Sequence, residues 1–246
     1  MIKKFLILSS LLLLFCTPVS AKVTYLDYKA TFGIFGTVGT IKNKLTQHKN
    51  SYQIETTVEL AGVAKMLMGG QTEHYISKGH MENGLMVSDM YQMTSRQKDK
   101  VTSKIYKINH KGKYVTKRYR KWIKGKLAED TKQKLPFYAK DDLLTLYFNL
   151  GHAIRKKGKK YIFKAVGLEK QKGIVQITVP SDARNASYKK DLGAGAVLYA
   201  KALIVQRNFR KKKGDILLAV AKDGFIKKSV IKDVLLYGDA KLLRVK

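Results

Sequence analysis

The sequence predicts a mainly β fold: a large curved antiparallel sheet, a half-open β-barrel, around one short buried helix, with a two-sheet β-sandwich as the alternative. Three observations predict it. Apolar and polar residues alternate with period 2 along most of the chain, as half-buried strands require. Short turn signals join many of these segments, and parallel crossovers would need a dozen or more residues. One segment breaks the alternation with a nearly continuous apolar run of helical length. A sheet this large must curl, close or split to manage its edges.

In chain order, Met1 to Ala21 read as a secretory signal peptide. Lys3 and Lys4 supply the positive start, Phe5 to Phe15 the apolar run, and Val19-Ser20-Ala21 the small residues before a cleavage site. Cleavage is expected after Ala21, leaving a single β-rich periplasmic domain over 22–246. The only cysteine, Cys16, lies in the signal, so the mature chain is expected to rely on core packing without disulfides. No other apolar run approaches the ~18 residues that span a bilayer, so no integral membrane segment is expected in the mature chain.

Within 22–246 the clearest strand is Tyr52, Ile54, Thr56, Val58 and Leu60, alternating with Gln53, Glu55, Thr57 and Glu59. Similar runs occur near 22–32, 34–47, 71–80, 87–95, 100–110, 113–123, 160–167, 172–179, 195–208, 215–222, 225–235 and 237–245. His110-Lys111-Gly112, Lys124-Gly125, Lys213-Gly214, Asp223-Gly224 and Gly238-Asp239 mark turns, with Asp223-Gly224 the clearest hairpin. Asp141 to Gly151 reads as the helix: Asp141 can cap its amides, Gly151 can end it, and Arg155 to Lys157 follow its negative end. Leu143, Leu144, Leu146, Tyr147, Phe148 and Leu150 leave it almost no polar face, so it belongs against the concave side of the sheet. A weaker helical pattern covers Gly62 to Met68.

The order of short motifs resembles a known family. Gly33, Gly36 and Gly39 in strand context come first, then Ser77-Lys78-Gly79, Asn83-Gly84-Leu85, Asp141-Asp142-Leu143 and the Asp223-Gly224 hairpin. The succession is similar to bacterial exported proteins catalogued as domain of unknown function 3108, over most of the mature chain. That family usually carries Asp-Pro at the helix start and proline after the last hairpin, where this chain has Asp142 and Phe225. The resemblance implies an exported β-rich domain and supplies no catalytic residues.

Charge is the strongest functional signal. The chain has 49 Lys+Arg against 18 Asp+Glu, net +31. Without the signal, 47 basic and 18 acidic residues leave +29. Arg96 to Lys134 holds +12, Arg155 to Lys172 +7 and Arg207 to Gly214 +5. Such segregation recruits anions. On the second strand of the Val101–Ile123 hairpin, Tyr114, Thr116, Arg118, Arg120 and Trp122 share one face. Lys113, Val115, Lys117, Tyr119 and Lys121 share the other. Neither face suits an ordinary core. Lys117, Arg118, Arg120 and Lys121 are therefore the candidate anion-binding residues, with Tyr114, Tyr119 and Trp122 as aromatic contacts. Met66, Met68, Leu143, Leu146 and Phe148 are the candidate lining of an apolar hollow.

The expected function is a non-enzymatic periplasmic binding protein, with an anionic lipid, glycan or other envelope polyanion as partner. Two alternatives stand beside it. One is an assembly factor docking an acidic partner protein; the other is copper(I) binding through the Met/His segment 66–93, which also holds His74 and His80. No enzyme signature occurs: no His-Glu-x-x-His, no Gly-x-Ser-x-Gly, no mature cysteine. No cofactor and no catalytic or metal residues are assigned. Nucleic acid is not expected, since no helix-turn-helix, zinc finger or RNP-type strand is present. Asn185-Ala186-Ser187 is a glycosylation-type triplet that reads as a surface loop.

Overall fold

Strands form where alternation predicts them, and in two further places, Lys126–Lys134 and the two-residue Asp141–Asp142, where it does not. The structure, a computed structural model, describes residues 21–67, 69–168, 172–205, 213–232 and 238–246. Most of the signal segment, Met68 and the basic run 207–212 lie outside the described residues. The strands are β1 (Lys22–Phe32), β2 (Thr37–Gln47), β3 (Ser51–Leu60), β4 (Thr72–Glu82), β5 (Leu85–Gln97), β6 (Lys100–Asn109), β7 (Tyr114–Ile123) and β8 (Lys126–Lys134). After them come β9 (Asp141–Asp142), β10 (Lys160–Val166), β11 (Ile174–Thr178), β12 (Leu198–Val205), β13 (Lys213–Val220), β14 (Ile226–Ile231) and β15 (Ala240–Arg244). Among the described residues three α-helices interrupt them: α1 (Gly62–Leu67), α2 (Leu143–Ala153) and α3 (Asn185–Leu192).

All the strands described belong to one sheet, ordered β8-β7-β6-β5-β4-β3-β2-β1-β15-β14-β13-β12-β11-β10-β9. Every pairing is antiparallel except the short β9–β10 contact. The sheet curls without closing, because its two edges, β8 and β9, do not pair with each other. The half-open barrel is therefore the architecture, and the sandwich alternative is overturned by the continuity of the one sheet. Tight turns support the consecutive hairpins: Asn83-Gly84 and Lys124-Gly125 each place two positive-φ residues between paired strands, as a type I′ turn requires.

Helix α2 fills the hollow and joins three parts of the core. Leu146, Leu150 and Ile154 pack with Val175, Ile177, Leu218 and Val220. Phe148 packs among Leu26, Leu45, Ile54 and Met86. Leu144 reaches a third group that includes Tyr91, Tyr106 and Val115. Each such fully buried side chain stabilises the fold by about 1.5–3 kcal/mol. On the opposite, convex side, Tyr188 and Leu192 of α3 cover Tyr199, Leu217, Ala219 and Val230 of β12–β14.

Two expectations about α2 need correction. Its N-cap is Asp142, which accepts from the amides of Leu144 and Thr145, while the Asp141 carboxylate accepts from the Ser88 amide at 3.4 Å. Gly151 does not end the helix. A Cβ there would lie 2.1 Å from the Gly224 carbonyl oxygen, so glycine is required for the helix to approach the β13–β14 hairpin. Gly79 has a similar role in the sheet, where a Cβ would stand 1.9 Å from the Val87 carbonyl oxygen and 2.8 Å from the Tyr52 ring.

Candidate functional site

The concave face can be read row by row from the strand register. One row crosses β2 to β7 as Leu45, Ile54, Ser77, Tyr91, Tyr106 and Lys117. The next is Asn43, Thr56, Tyr75, Met93, Lys104 and Tyr119. A third is Ile41, Val58, Glu73, Ser95, Thr102 and Lys121. The rows therefore turn from apolar or neutral residues on β2–β3 to lysine-bearing positions on β6–β7. With strands ~4.8 Å apart, Lys117 stands about 10 Å from Tyr91 across the sheet.

At the apolar end lie two recesses beside α2. One, of about 260 Å³, is lined by Tyr28, Ile41, Val58, Tyr75, Tyr91 and Tyr147 among others. The second, of about 170 Å³, is lined by Leu146, Leu150, Val175, Ile177, Ile216 and Leu218 among others. Leu143, Tyr147 and Leu242 border both, so the two halves of the hollow meet at the helix. Together they reach the range of roughly 300–1,000 Å³ in which small ligands are held.

A buried polar network fixes the helix that divides the hollow. Asp142, fully shielded from solvent, accepts from Ser77 Oγ at 2.6 Å and Thr145 Oγ1 at 2.9 Å. It also accepts from the amides of Leu144 at 2.7 Å and Thr145 at 2.9 Å. The Tyr52 hydroxyl joins Thr145 Oγ1 at 2.6 Å and Ser77 Oγ at 3.1 Å. Further along, Asn149 Nδ2 donates to the Met86 carbonyl at 2.7 Å, and its Oδ1 accepts from the Met86 amide at 3.1 Å. Burial pushes the Asp142 carboxyl above the ordinary range, and its hydrogen bonds offset that only in part.

The basic end of the face is partly neutralised by its own surroundings. Lys117 Nζ lies 5.8 Å from the Tyr106 ring centroid, a cation–π contact that holds the ammonium over the aromatic row. Lys104, Tyr119 and Lys121 are half-buried beside it. The acids in these rows are Glu73, which accepts from the Tyr75 hydroxyl, and the edge residue Glu129 opposite Lys121.

The four candidate anion-binding residues do not form one site. Val115 is completely buried against the Tyr106 group, which turns Lys117, Tyr119 and Lys121 toward the hollow. Arg118 and Arg120 point to the convex side. There Arg118 Nε donates to Asp130 Oδ1 at 2.7 Å, and Arg120 Nε lies 3.3 Å from Asp130 Oδ2. The adjacent guanidinium of Arg118 holds the Asp130 carboxyl below the usual range. Arg120 and Trp122 line a convex groove with Arg96, Gln92 and Ser103. Tyr114 is on that side too, beneath Lys134 Nζ at 4.7 Å from its ring centroid.

The candidate hollow residues divide in the same way. Leu143 and Leu146 line the recesses. Phe148 is 1% exposed and belongs to the packed core, edge-on to Tyr147 and Phe225, and lines neither recess. Met66 does not line the hollow either: it is 82% exposed on α1. The other methionines of the segment are spread, with Met81 and Met86 in one core group and Met93 in another. Lys104 and Leu242 were not singled out from sequence, because only long-range strand pairing brings them to this face; Tyr147 comes with α2.

Along another face of α2, Asp141 lines a cleft of about 440 Å³ with Glu82, Tyr138 and Lys140. Burial, then the charge of Asp142, push its carboxyl from the ordinary 3.8 up to about 7; the Ser88 amide and Lys140 oppose this, and Glu82 adds to it. The folded protein therefore holds a proton that the unfolded chain has released. Stability should fall as pH rises from about 4 to 7, by at most about 1.4 kcal/mol per unit from this group. Urea midpoints across that window should show a shallower fall in Asp141→Asn, with the remainder assigned to Asp142. An unchanged slope, or a rise with pH, would contradict the assignment.

No protein-family model matches the chain, and no curated protein matches it. Among solved structures, the chain is similar to the crystal structure of a beta-barrel-like protein of domain of unknown function DUF1849 from Brucella abortus. The similarity has a TM-score of 0.48 and 8% sequence identity, and covers 90% of this chain and 95% of that chain.

Proposed function

We propose that the protein is a non-enzymatic periplasmic binding protein that takes an anionic amphiphile on its concave face. The observation that carries this reading is the polarity of the rows, from apolar recesses at Leu143, Tyr147 and Leu242 to Lys104, Lys117 and Lys121. An alkyl chain would replace solvent against the recesses, at about 0.8 kcal/mol per buried methylene. The anionic head would meet lysines about 10 Å further along the same face. Half-exposed ammonium groups contribute modestly, on the order of 0.5–1 kcal/mol each.

This reading gives a direct comparison between ligands of one chain length. Displacement of a bound fluorescent fatty acid should require about tenfold less lysophosphatidylglycerol than lysophosphatidylcholine, the difference expected from about 1.4 kcal/mol of head-group attraction. Added salt should narrow the gap, because part of the attraction is exposed to solvent. Equal potency of the two lipids, or no displacement by either, would remove the support for an anionic amphiphile.

Docking of an acidic partner protein is the second reading, and the convex groove with Arg96, Arg120 and Trp122 favours it. It is weaker because Asp130 already engages both Arg118 and Arg120.

A further inference from the structure

A cluster outside the concave site brings together groups that are far apart in sequence. His80 comes from β4, Asp89 from β5, and His110 from the turn just after β6. The β4–β5 register skips at this point: Lys78 pairs with Met90 and Gly79 with Ser88, leaving Asp89 as the extra residue of a bulge. Bulges re-aim side chains and are frequent beside functional sites. Here the bulge presents the Asp89 carboxylate to both imidazoles. His80 Nδ1 lies 3.0 Å from Asp89 Oδ2, and His110 Nε2 lies 3.2 Å from Asp89 Oδ1.

We propose that His80, Asp89 and His110 bind a divalent transition-metal ion of the zinc, nickel or copper(II) class. One nitrogen from each imidazole and one carboxylate oxygen lie within 4.8 Å of one another. A tetrahedral ion with bonds of ~2.0–2.1 Å would draw them to about 3.4 Å, a small adjustment. The side chains have room to make it, being 43%, 48% and 27% exposed for His80, Asp89 and His110. The donor set suits a borderline ion, and contains none of the soft sulfur preferred by copper(I).

Two surrounding features favour a metal over a simple ion pair. His110 Nδ1 is 2.9 Å from the Tyr138 hydroxyl. Donation from Nδ1–H to that oxygen leaves the Nε2 lone pair for an ion, the outer-shell arrangement typical of ligating histidines. In the ion-free geometry Nε2–H donates to the Ser88 carbonyl at 2.9 Å, so binding replaces that proton at Nε2 with the metal and leaves the ring proton on Nδ1. In a chain with 49 Lys+Arg and 18 acidic residues, the described ion pairs of Asp89 are nonetheless with histidines alone. Tyr138 also lines the cleft with Glu82 and Lys140, so the cluster borders a space that a further ligand can enter.

Isothermal titration of untagged protein with Zn²⁺, paired with Co²⁺ absorption spectra, tests the site without reference to any lipid. One ion per chain is expected. His80→Ala, Asp89→Ala and His110→Ala should each weaken binding by more than tenfold. Tyr138→Phe should weaken it by about tenfold, the lower end of the usual outer-shell effect. The exposed His48→Ala should leave it unchanged. Thermal melts of the ion-free variants establish that these surface substitutions leave the fold intact. Absence of saturable binding by the wild type, or unaltered affinity in both His80→Ala and His110→Ala, would overturn the proposal.

Discussion

Replacing Asp142 with alanine should lower stability by about 3 kcal/mol, read as a fall in the urea midpoint with little change in slope. The carboxylate caps α2 through two amides and accepts from two fully buried hydroxyls, Ser77 and Thr145. Loss of a helix cap costs about 0.5–2 kcal/mol. Each charge-assisted hydrogen bond from a buried hydroxyl adds roughly 1.5–3 kcal/mol. Two effects reduce the total. The desolvation cost of the buried carboxyl, which raises its pKa, disappears with the group. Ser77 and Thr145 also keep each other as partners at 2.7 Å. Asp142→Asn retains much of the shape and should cost less than the alanine. A loss below about 1 kcal/mol for Asp142→Ala would mean that the network does not anchor the helix.

Alternation made most strands legible because each had one buried face. β8 lacks that signal: all nine residues from Lys126 to Lys134 are exposed, so only the Lys124-Gly125 turn announced it. Charges along an unpaired edge also discourage association with other sheets. Helix α3 was hidden for a related reason, since Tyr188 and Leu192 are its only large apolar residues and Asn185-Ala186-Ser187 reads as loop. The existence of α2 was plain, but its start was not. Two adjacent aspartates can each cap, and both pair with β10; only the long-range contact of the Ser88 amide with the Asp141 carboxylate tells them apart.

The candidate site was legible in its parity and not in its assembly. Strand period already separates Lys117, Tyr119 and Lys121 from Arg118, Arg120 and Trp122. Which set faces the hollow depends on Val115 packing against Tyr106, and on pairings that carry the rows from β2 to β7. Those are long-range facts. The bulge at Asp89 is also invisible in the local pattern, because it is defined by what β4 places opposite.

The face, and not the total charge, is expected to decide amphiphile binding. Lys117→Gln/Lys121→Gln and Arg118→Gln/Arg120→Gln remove the same two charges from one strand, but from opposite sides of the sheet. Two half-exposed lysines near a bound head group contribute on the order of 1–2 kcal/mol, so the concave pair should weaken binding about tenfold. The convex pair should change it less than about twofold, because its charges already meet Asp130 and lie beyond the sheet from the recesses. Stability should be compared in parallel, since the convex pair also loses its ion pairs. The most direct measurement is the Kd of both double variants for one anionic amphiphile at fixed ionic strength. A selective loss in Lys117→Gln/Lys121→Gln is expected; an equal loss in both, or a larger one in Arg118→Gln/Arg120→Gln, would rule out head-group binding on the concave face.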